Sequence, residues 1–178
     1  MVAGYSRMLI DIYEAQGMHA EYKDELLYQI FSLSPRDLVY VKKLKASCTE
    51  DEWISYREKL LLDRGAIGIK FELLEEEKLY RRLLDEVRQT VSISNLDRYE
   101  EVLKIEYPEE VKQHYINYVT QRAKNTADRK SYRELVYYLE KISEYPGGPG
   151  DVLNIAESWK QEYSRRRAMM DELRKAGF

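Results

Sequence analysis

Residues 131–142 read SYRELVYYLEKI and show the pattern on which the fold assignment depends. Apolar side chains, among them Leu135 and Leu139, recur every three or four residues in this stretch, which is the period of one face of an α-helix. Ser131 precedes Glu134 by three residues, a spacing that is typical of a capping box at a helix N-terminus. The stretch therefore predicts a helix that begins near Ser131 and buries one of its faces.

The same spacing extends over nearly the whole chain. A second capping box, from Thr49 to Glu52, precedes another apolar stripe, and Gly17 marks the end of an earlier one. Residues 34–37, Ser-Pro-Arg-Asp, predict an N-cap, a proline at the first helical position and a carboxylate at the third. Only four prolines and eight glycines interrupt the chain, and no segment alternates like a half-buried strand. We therefore predict an all-α protein of about ten helices.

The connections predict how these helices pack. Almost all of them are short, which favours consecutive helices that lie antiparallel. A tyrosine followed four residues later by Leu or Val recurs at Tyr22, Tyr80 and Tyr132, at offsets of 58 and 52 residues. Such offsets fit two helix pairs per recurrence, since a tetratricopeptide repeat has about 34 residues. We predict antiparallel α-hairpins stacked as a short α-solenoid, similar to tetratricopeptide or HEAT repeats. An irregular helical bundle is the alternative.

We expect residues 1–178 to form a single all-α helical-repeat domain. The sequence EYPGGPGD is its one connection rich in proline and glycine, and it predicts a loop at 145–151 before the last two helices. The first residues, MVAGYSRMLIDIY, enter a helical pattern almost at once, which is typical of a fragment of a longer protein.

Composition argues against several classes of function. Charged residues make up 34% of the chain, yet the net charge is only −3, whereas proteins that bind duplex nucleic acid usually carry a strong basic excess. Cys48 is the only cysteine, so no intramolecular disulfide can form, and we expect a reducing, cytoplasmic location. No apolar stretch approaches the roughly 20 residues of a membrane span, so we expect no membrane partner.

The sequence contains no recognisable catalytic or metal-binding motif. Neither His19 nor His114 belongs to a Glu-x-x-His pair, and Cys48 has no histidine close to it in sequence. The glycines of residues 147–150 lack the Lys-Ser/Thr pair that follows in phosphate-binding loops. We therefore predict no catalytic residue, no metal site and no cofactor, and no small-molecule substrate is evident.

Tyrosine is the dominant aromatic residue, with 16 copies against three phenylalanines. A tyrosine ring buries a large area while its hydroxyl stays at the edge of water, which suits both thin helical layers and partner grooves. Helical arrays hold peptides or partner helices on such concave surfaces. Five tyrosines are candidates for partner binding, with packing between helices as the alternative: Tyr115, Tyr118, Tyr132, Tyr137 and Tyr138.

Three consecutive arginines, Arg165, Arg166 and Arg167, occupy what the pattern predicts as the start of the last helix. Exposed cations there cost about 0.3–1 kcal/mol each because they oppose the helix dipole. One explanation is that the preceding helix continues through Tyr163, so that the arginines end it. Another is an exposed basic corner that binds a carboxylate or a phosphate backbone of a partner. A third is pairing within the chain, with Glu157, Glu162 or Asp171.

The stretch YSRRRAMMDELRKAGF, residues 163–178, resembles the extreme C-terminus of bacterial proteins that carry a SWIM-type zinc finger upstream. The resemblance extends to SYRELVYYLEKI and the helix of Trp159, and more loosely to ASCTEDEW around Cys48. The finger itself needs Cys-x-Cys followed by Cys-x-His, so a chain with one cysteine lacks it, and no zinc ligand carries over. The resemblance implies a helical accessory domain in a protein with nucleic-acid or protein interactions, and it supplies no catalytic residue.

We interpret the sequence as a non-catalytic protein-interaction or scaffolding module that holds a protein or peptide segment on apolar and tyrosine surface. The first alternative is a domain that associates with nucleic acid through its basic patches, namely Lys42, Lys43, Lys45 and the terminal arginines. The second is a helical enzyme whose site is assembled from scattered Glu, Tyr and Arg side chains, which motifs do not detect.

Overall fold

The computed structural model describes residues 2–33, 37–90 and 92–178, except for the side chains of Arg64 and Ile67. Within these residues it contains eleven α-helices, one short 3-10 helix at Arg64–Ala66 and no β-strand, which confirms the all-α prediction. Every helix in this part of the chain is too short or too polar to span a lipid bilayer. The α-helices are α1 Val2–Gln16, α2 His19–Ser32, α3 Leu38–Ala46, α4 Glu50–Leu62, α5 Ile67–Glu76, α6 Tyr80–Gln89, α7 Ser94–Glu106, α8 Pro108–Lys124, α9 Arg129–Ser143, α10 Gly148–Glu162 and α11 Arg167–Lys175.

The chain divides into two compact units, residues 1–83 and 84–178, and the sequence of α6 spans the division. In the first unit, α1 packs on α2, α2 on α3, and α3 on α5. Gly17 follows α1 with a φ of 68°, a left-handed conformation that glycine adopts at little steric cost. A single-domain organisation of residues 1–178 stays a prediction. The core of the first unit includes Ile10, Leu26, Ile30, Val41, Leu44, Trp53, Leu60, Leu73 and Leu74, each at most 2% exposed.

In the second unit, α9 is the central helix. It packs against α8, α10 and α11, and α7 packs against α8. Consecutive helices are therefore neighbours from α7 to α10, as predicted, whereas α11 returns to α9. The tetratricopeptide-like or HEAT-like stacking stays a prediction. The core of this unit includes Leu96, Leu103, Val111, Tyr115, Val119, Leu135, Leu139, Ile142, Val152 and Ala156, each at most 1% exposed.

The helix starts in the first unit agree in part with the sequence patterns. The capping box before α4 is confirmed, because the Thr49 amide donates to Glu52 Oε2 at 2.9 Å and the Glu52 amide donates to Thr49 Oγ1 at 3.4 Å. The N-cap and first-turn proline predicted at Ser34 and Pro35 lie outside the described residues. Asp37, predicted inside that first turn, is the N-cap of α3 and accepts from the Val39 amide at 2.9 Å.

The predicted capping box at Ser131 is wrong, because α9 begins two residues earlier and is capped by Asp128. The Ser131 amide donates to Asp128 Oδ1 at 2.9 Å, and its hydroxyl donates to Asp128 Oδ2 at 2.7 Å. A carboxylate at the N-cap satisfies the free amides of the first turn and is favoured by the helix dipole. Glu134 is thereby left to accept a hydrogen bond from Tyr118.

The connection between α9 and α10 is shorter than the loop predicted at 145–151, because α10 already begins at Gly148. Gly147 turns the chain with a φ of 72°. A Cβ atom on Gly148 would lie 1.9 Å from the carbonyl oxygen of Ile142, so only glycine permits this close approach of the two helices. Pro149 lies in the first turn of α10, where a missing amide proton costs nothing.

Candidate interaction surface

The second unit encloses a hydrogen-bonded cluster of tyrosines around one carboxylate. Tyr115 on α8 donates to Asp97 Oδ1 at 2.9 Å, and Tyr138 on α9 donates to Asp97 Oδ2 at 2.6 Å. Lys141 donates to Asp97 Oδ1 at 2.9 Å and to the Tyr115 hydroxyl at 3.0 Å. The rings of Tyr115 and Tyr138 stack with their centroids 5.6 Å apart. The cluster therefore connects α7, α8 and α9 through polar contacts.

A second carboxylate extends this cluster to the turn before α10. Tyr145 donates to Glu100 Oε1 at 2.6 Å, and Lys141 forms an ion pair with the other oxygen of Glu100. Glu100 and Tyr145 are both 7% exposed. Buried Glu100 and partly exposed Asp97 thus each have at least two donors, which is the condition under which a buried polar network stabilises a fold.

The tyrosines of this cluster are held in their neutral form. Burial raises the pKa of Tyr115, Tyr138 and Tyr145 far above the usual value for tyrosine, and the neighbouring carboxylates raise it further. Such hydroxyls keep their protons at physiological pH and act as hydrogen-bond donors. The cluster is therefore suited to positioning helices and poorly suited to proton abstraction.

An open groove of about 570 Å³ adjoins the cluster. Tyr118 lies on its wall and donates to Glu134, and burial together with this carboxylate raises the pKa of Tyr118 to about 12. Tyr138 reaches the same wall and meets Tyr118 edge to face, with centroids 5.2 Å apart. The remaining lining residues are Ser92, Ile93, Ser94, Asp97, Gln121, Arg122 and Asn125.

The five candidate tyrosines differ in their accessibility. Tyr115 is 0% and Tyr132 3% exposed, so both pack between helices, and neither lines the groove. The hydroxyl of Tyr132 donates to the carbonyl oxygen of Thr126 at 3.3 Å. Tyr137 is 54% exposed, and its ring packs edge to face on Tyr138. Tyr138 is also buried, at 6% exposed, so packing between helices accounts for three of the five, and Tyr137 is the most accessible.

Arg166 bonds to backbone carbonyls and not to the carboxylates that the third explanation named. Its guanidinium donates to the carbonyl oxygens of Ala123 at 2.6 Å and of Thr126 at 3.1 Å, at the end of α8. The same group lies 4.1 Å from the ring centroid of Tyr163. Because the last carbonyls of a helix lack partners within that helix, Arg166 caps α8 from a distant part of the chain.

Arg165 and Arg167 remain exposed beside this contact. The preceding helix, α10, ends at Glu162, and its C-cap is Tyr163, whose amide still donates to the carbonyl oxygen of Trp159 at 2.8 Å. The arginines therefore follow the end of α10 and do not form its last turn. Arg167 begins α11 and Arg165 precedes it by two residues, so both oppose the dipole of α11. Neither forms a side-chain ion pair with the described part of the chain.

Basic side chains from α9 contact acidic side chains of α11, the helix that Arg167 begins. Glu172 is only 7% exposed and is shared by Arg129 and Arg133, each at 3.3 Å, and by Lys175 at 3.2 Å. Arg129 also contacts Asp171 at 3.2 Å. We define the basic face as the exposed side chains of Arg129, Lys130, Arg133, Arg165, Arg167, Arg174 and Lys175.

Positive charge exceeds negative charge on the basic face. The basic face has seven basic side chains, and the acidic side chains that they contact are Asp171 and Glu172, although the whole chain has a net charge of −3. Burial raises the pKa of Glu172, but Lys175 and Arg133 more than offset this, so the net pKa lies below the usual range. Glu172 is therefore ionised at neutral pH, and the surplus cations still outnumber the acids.

The three lysines of α3 do not provide a comparable basic patch. Lys42 pairs with Glu76 at 2.9 Å, Lys43 with Glu14 at 2.6 Å, and Lys45 with Glu77 at 2.7 Å. Each ammonium thus has its own carboxylate, which lowers the local potential that a phosphate backbone would experience.

His114 and Cys48 are not activated groups. Burial and the charge of Arg88 lower the pKa of His114, so its imidazole stays neutral at physiological pH. Burial raises the pKa of Cys48, so its thiol is less ionised than a free cysteine. Among the described residues, no group of three or more His, Cys, Asp or Glu side chains is arranged to hold a metal ion.

Comparison with known proteins provides no relative of this chain. No family model, no curated protein and no solved structure matches it. The relation to SWIM-type zinc-finger proteins therefore depends on the sequence resemblance alone and stays a prediction.

Proposed function

We propose that the protein is a non-catalytic interaction module that binds an acidic segment of a partner protein on its basic face. The observation that carries this proposal is the sharing of Glu172 by Arg129, Arg133 and Lys175. Glu172 and Asp171 together contact four cations, Arg129, Arg133, Arg174 and Lys175, so donors remain on these side chains. Arg165 and Arg167 add two more exposed guanidinium groups. A planar guanidinium can donate two parallel hydrogen bonds to one carboxylate.

The charge distribution favours a short acidic segment over a nucleic acid. The net charge of −3 repels a long polyanion, whereas a short segment experiences mainly the local field within a Debye length of about 10 Å at 0.1 M salt. The lysines of α3, which the nucleic-acid alternative requires, are each paired with a glutamate.

Two further observations support a binding role. Tyr137 is 54% exposed on α9, four residues after Arg133, and an accessible tyrosine is a frequent anchor in protein interfaces. The buried tyrosines retain their protons, which supports a structural role for the cluster over a catalytic one. The SWIM-type resemblance implies an accessory domain of the same kind, and the single cysteine agrees with a proposed cytoplasmic location.

The test is binding of a fluorescently labelled peptide of alternating Glu and Ser, followed by fluorescence anisotropy. The double variant Arg165→Glu/Arg167→Glu should weaken binding at least about tenfold, because it replaces two cations by two anions. Its fold should be retained, since anions are favoured at the N-terminus of α11. Far-UV circular dichroism checks that point.

The matched control is Lys104→Glu/Lys160→Glu, which makes the same change in net charge on α7 and α10. The side chains of Lys104 and Lys160 are each 40% exposed and pair with Glu101 and Glu157 one turn away in their own helices. We expect this control to change peptide affinity less than about threefold. Equal losses in both double variants, or equally tight binding of the peptide with Gln in place of Glu, would contradict the proposal. Tighter binding of a DNA duplex than of the peptide would favour the nucleic-acid alternative.

A further inference from the structure

Helix α1 carries more apolar surface than the described residues bury. It packs on α2, and its buried residues are Ser6 and Ile10. A surface helix usually turns one apolar face to the core and a charged or polar face to water. In α1, four large apolar side chains are instead exposed: Val2 at 57%, Tyr5 at 63%, Met8 at 60% and Ile12 at 44%.

The spacing of this exposed surface is that of a helix that pairs with a second helix. We define the α1 seam as Val2, Tyr5, Leu9 and Ile12, which follow one another at intervals of three, four and three residues. This is the a and d pattern of a coiled coil, in which two helices interlock along a narrow apolar seam. Leu9 is half-buried and the other three residues are exposed, so a second helix can reach the seam along its whole length.

The α1 seam contains no charged side chain, because the charges of α1 are directed to α3. Lys43 Nζ on α3 lies 2.6 Å from Glu14 Oε2 and 4.0 Å from Asp11 Oδ1. The guanidinium of Arg7 lies 5.9 Å from the ring centroid of Tyr40, also on α3. Arg7, Asp11 and Glu14 are the only charged residues of α1. An acidic segment or a nucleic acid would therefore meet no complementary charge on the seam, whereas an uncharged apolar helix fits it.

The α1 seam is complementary to itself when two copies run antiparallel. A twofold axis between two such helices places residue i of one copy opposite residue j of the other, and j opposite i. With the axis near position 7, Val2 faces Ile12 of the second copy and Tyr5 faces Leu9 of the second copy. Every seam residue thus meets an apolar residue, and the bulky ring of Tyr5 meets an aliphatic chain. In a parallel pair, Tyr5 would meet Tyr5 and the two helix dipoles would point the same way.

We propose that the protein forms a weak homodimer in which the α1 seams of two copies pack antiparallel. The length of α1 limits the interface, since its 15 residues extend about 22 Å. One helix pair of this length buries less than the roughly 1,600 Å² of a standard stable complex, so we expect a dissociation constant between about 1 µM and 1 mM. The α1 seam is separate from the basic face, and its test does not depend on the function proposed above.

The test is sedimentation equilibrium of the whole chain from about 1 µM to about 1 mM, where we expect a monomer–dimer equilibrium. The double variant Val2→Glu/Ile12→Glu should weaken the dimer at least about tenfold, because it places an anion opposite an anion at both ends of the antiparallel pair. The variant Val2→Glu/Ile12→Lys changes the same two positions but sets an anion opposite a cation. It should dimerise at least about fivefold more tightly than the first variant.

The matched control is Ile105→Glu/Leu153→Glu, which replaces two exposed apolar residues on α7 and α10. It should change the dissociation constant less than about threefold. Far-UV circular dichroism checks that each variant is folded. A monomer at every concentration, equal losses in the two Val2/Ile12 variants, or an equal loss in the control would each overturn the proposal. Co-sedimentation of a monomeric protein with phosphatidylcholine vesicles would assign the seam to a lipid surface and would also overturn it.

Discussion

The guanidinium of Arg166 donates a hydrogen bond of 2.6 Å to the carbonyl oxygen of Ala123, 43 residues earlier in the chain. This contact explains why a cation precedes α11, where the helix dipole disfavours it. The local cost at α11 is offset at the C-terminus of α8, where carbonyls need donors and the dipole favours positive charge. Arg166 therefore has a structural role, and only its neighbours Arg165 and Arg167 are available to a partner.

Replacement of Arg166 by alanine should destabilise the second unit by about 1–3 kcal/mol, since it leaves carbonyls at the end of α8 without a donor. Arg166→Lys should recover part of this loss, because an ammonium still donates and carries the charge. Urea unfolding followed by circular dichroism measures both effects. Arg165→Ala is the matched control and should change stability by less than about 0.5 kcal/mol. Equal losses at both positions would rule out the capping role.

Tyr138→Phe should destabilise the protein by about 1–3 kcal/mol, because Asp97 Oδ2 loses a hydrogen bond in a partly buried site. The ring remains, so its packing against Tyr115 is retained. Tyr137→Phe is the control one residue earlier, and its side chain is 54% exposed. We expect a change below about 0.5 kcal/mol for this control. Chemical denaturation at neutral pH distinguishes the two variants, and comparable losses would show that the hydroxyl of Tyr138 contributes nothing specific.

Alkaline pH should lower the stability of the second unit. Unfolded tyrosine ionises near a pKa of about 10, whereas the pKa of folded Tyr118 is about 12 and those of Tyr115 and Tyr138 are higher. Above pH of about 10 the unfolded chain releases protons that the folded protein retains, so the free energy of unfolding falls as pH rises. Below that pH both states are protonated, and the stabilisation is fully present.

An absorbance titration of tyrosinate, together with urea unfolding at several pH values, checks this expectation. The buried tyrosines should ionise only as the protein unfolds, in a cooperative step above the titration of the exposed ones. Ionisation of every tyrosine near the pKa of the free amino acid, with an intact circular dichroism spectrum, would contradict it.

Two glycines of α10 should respond oppositely to alanine. A Cβ atom at position 148 would lie 1.9 Å from the carbonyl oxygen of Ile142, so Gly148→Ala should separate α9 from α10 and cost about 1–3 kcal/mol. At Gly150 a Cβ atom would meet nothing within 4 Å, so Gly150→Ala should stabilise the protein by about 0.4–1 kcal/mol. Thermal unfolding provides the comparison. A stable Gly148→Ala variant would show that the α9–α10 turn is less tight than described.

Local sequence patterns predicted the helices well because they depend on neighbouring residues. The capping box at Thr49 involves atoms three residues apart, and the apolar spacing after Leu135 lies on one helix face. The start of α9 was missed because the prediction considered Ser131 alone. Asp128, three residues earlier, is also of a residue type that caps helices, and this upstream carboxylate takes the N-cap position.

The long-range contacts could not be predicted from the sequence. The partners of Arg166 are backbone carbonyls, which every residue carries, so no residue type indicates them. The sequence indicates the cluster around Asp97 only weakly. Asp97 and Glu100 lie one turn apart on α7, and Tyr138 and Lys141 lie one turn apart on α9. In both helices these polar side chains are next to the apolar side chains of the buried face. This pattern suggests internal pairing, but it does not identify the partner helix.

The position of Lys141 between Asp97 and Glu100 has a consequence for how this cluster can change during evolution. A neutral residue at 141 alone would leave two adjacent anions without their shared cation. Loss of Asp97 or Glu100 alone would leave the tyrosine hydroxyls that donate to it without an acceptor. Intermediates with a single change are therefore all disfavoured. Natural homologues should carry these side chains as a set, retained together or exchanged together for apolar ones.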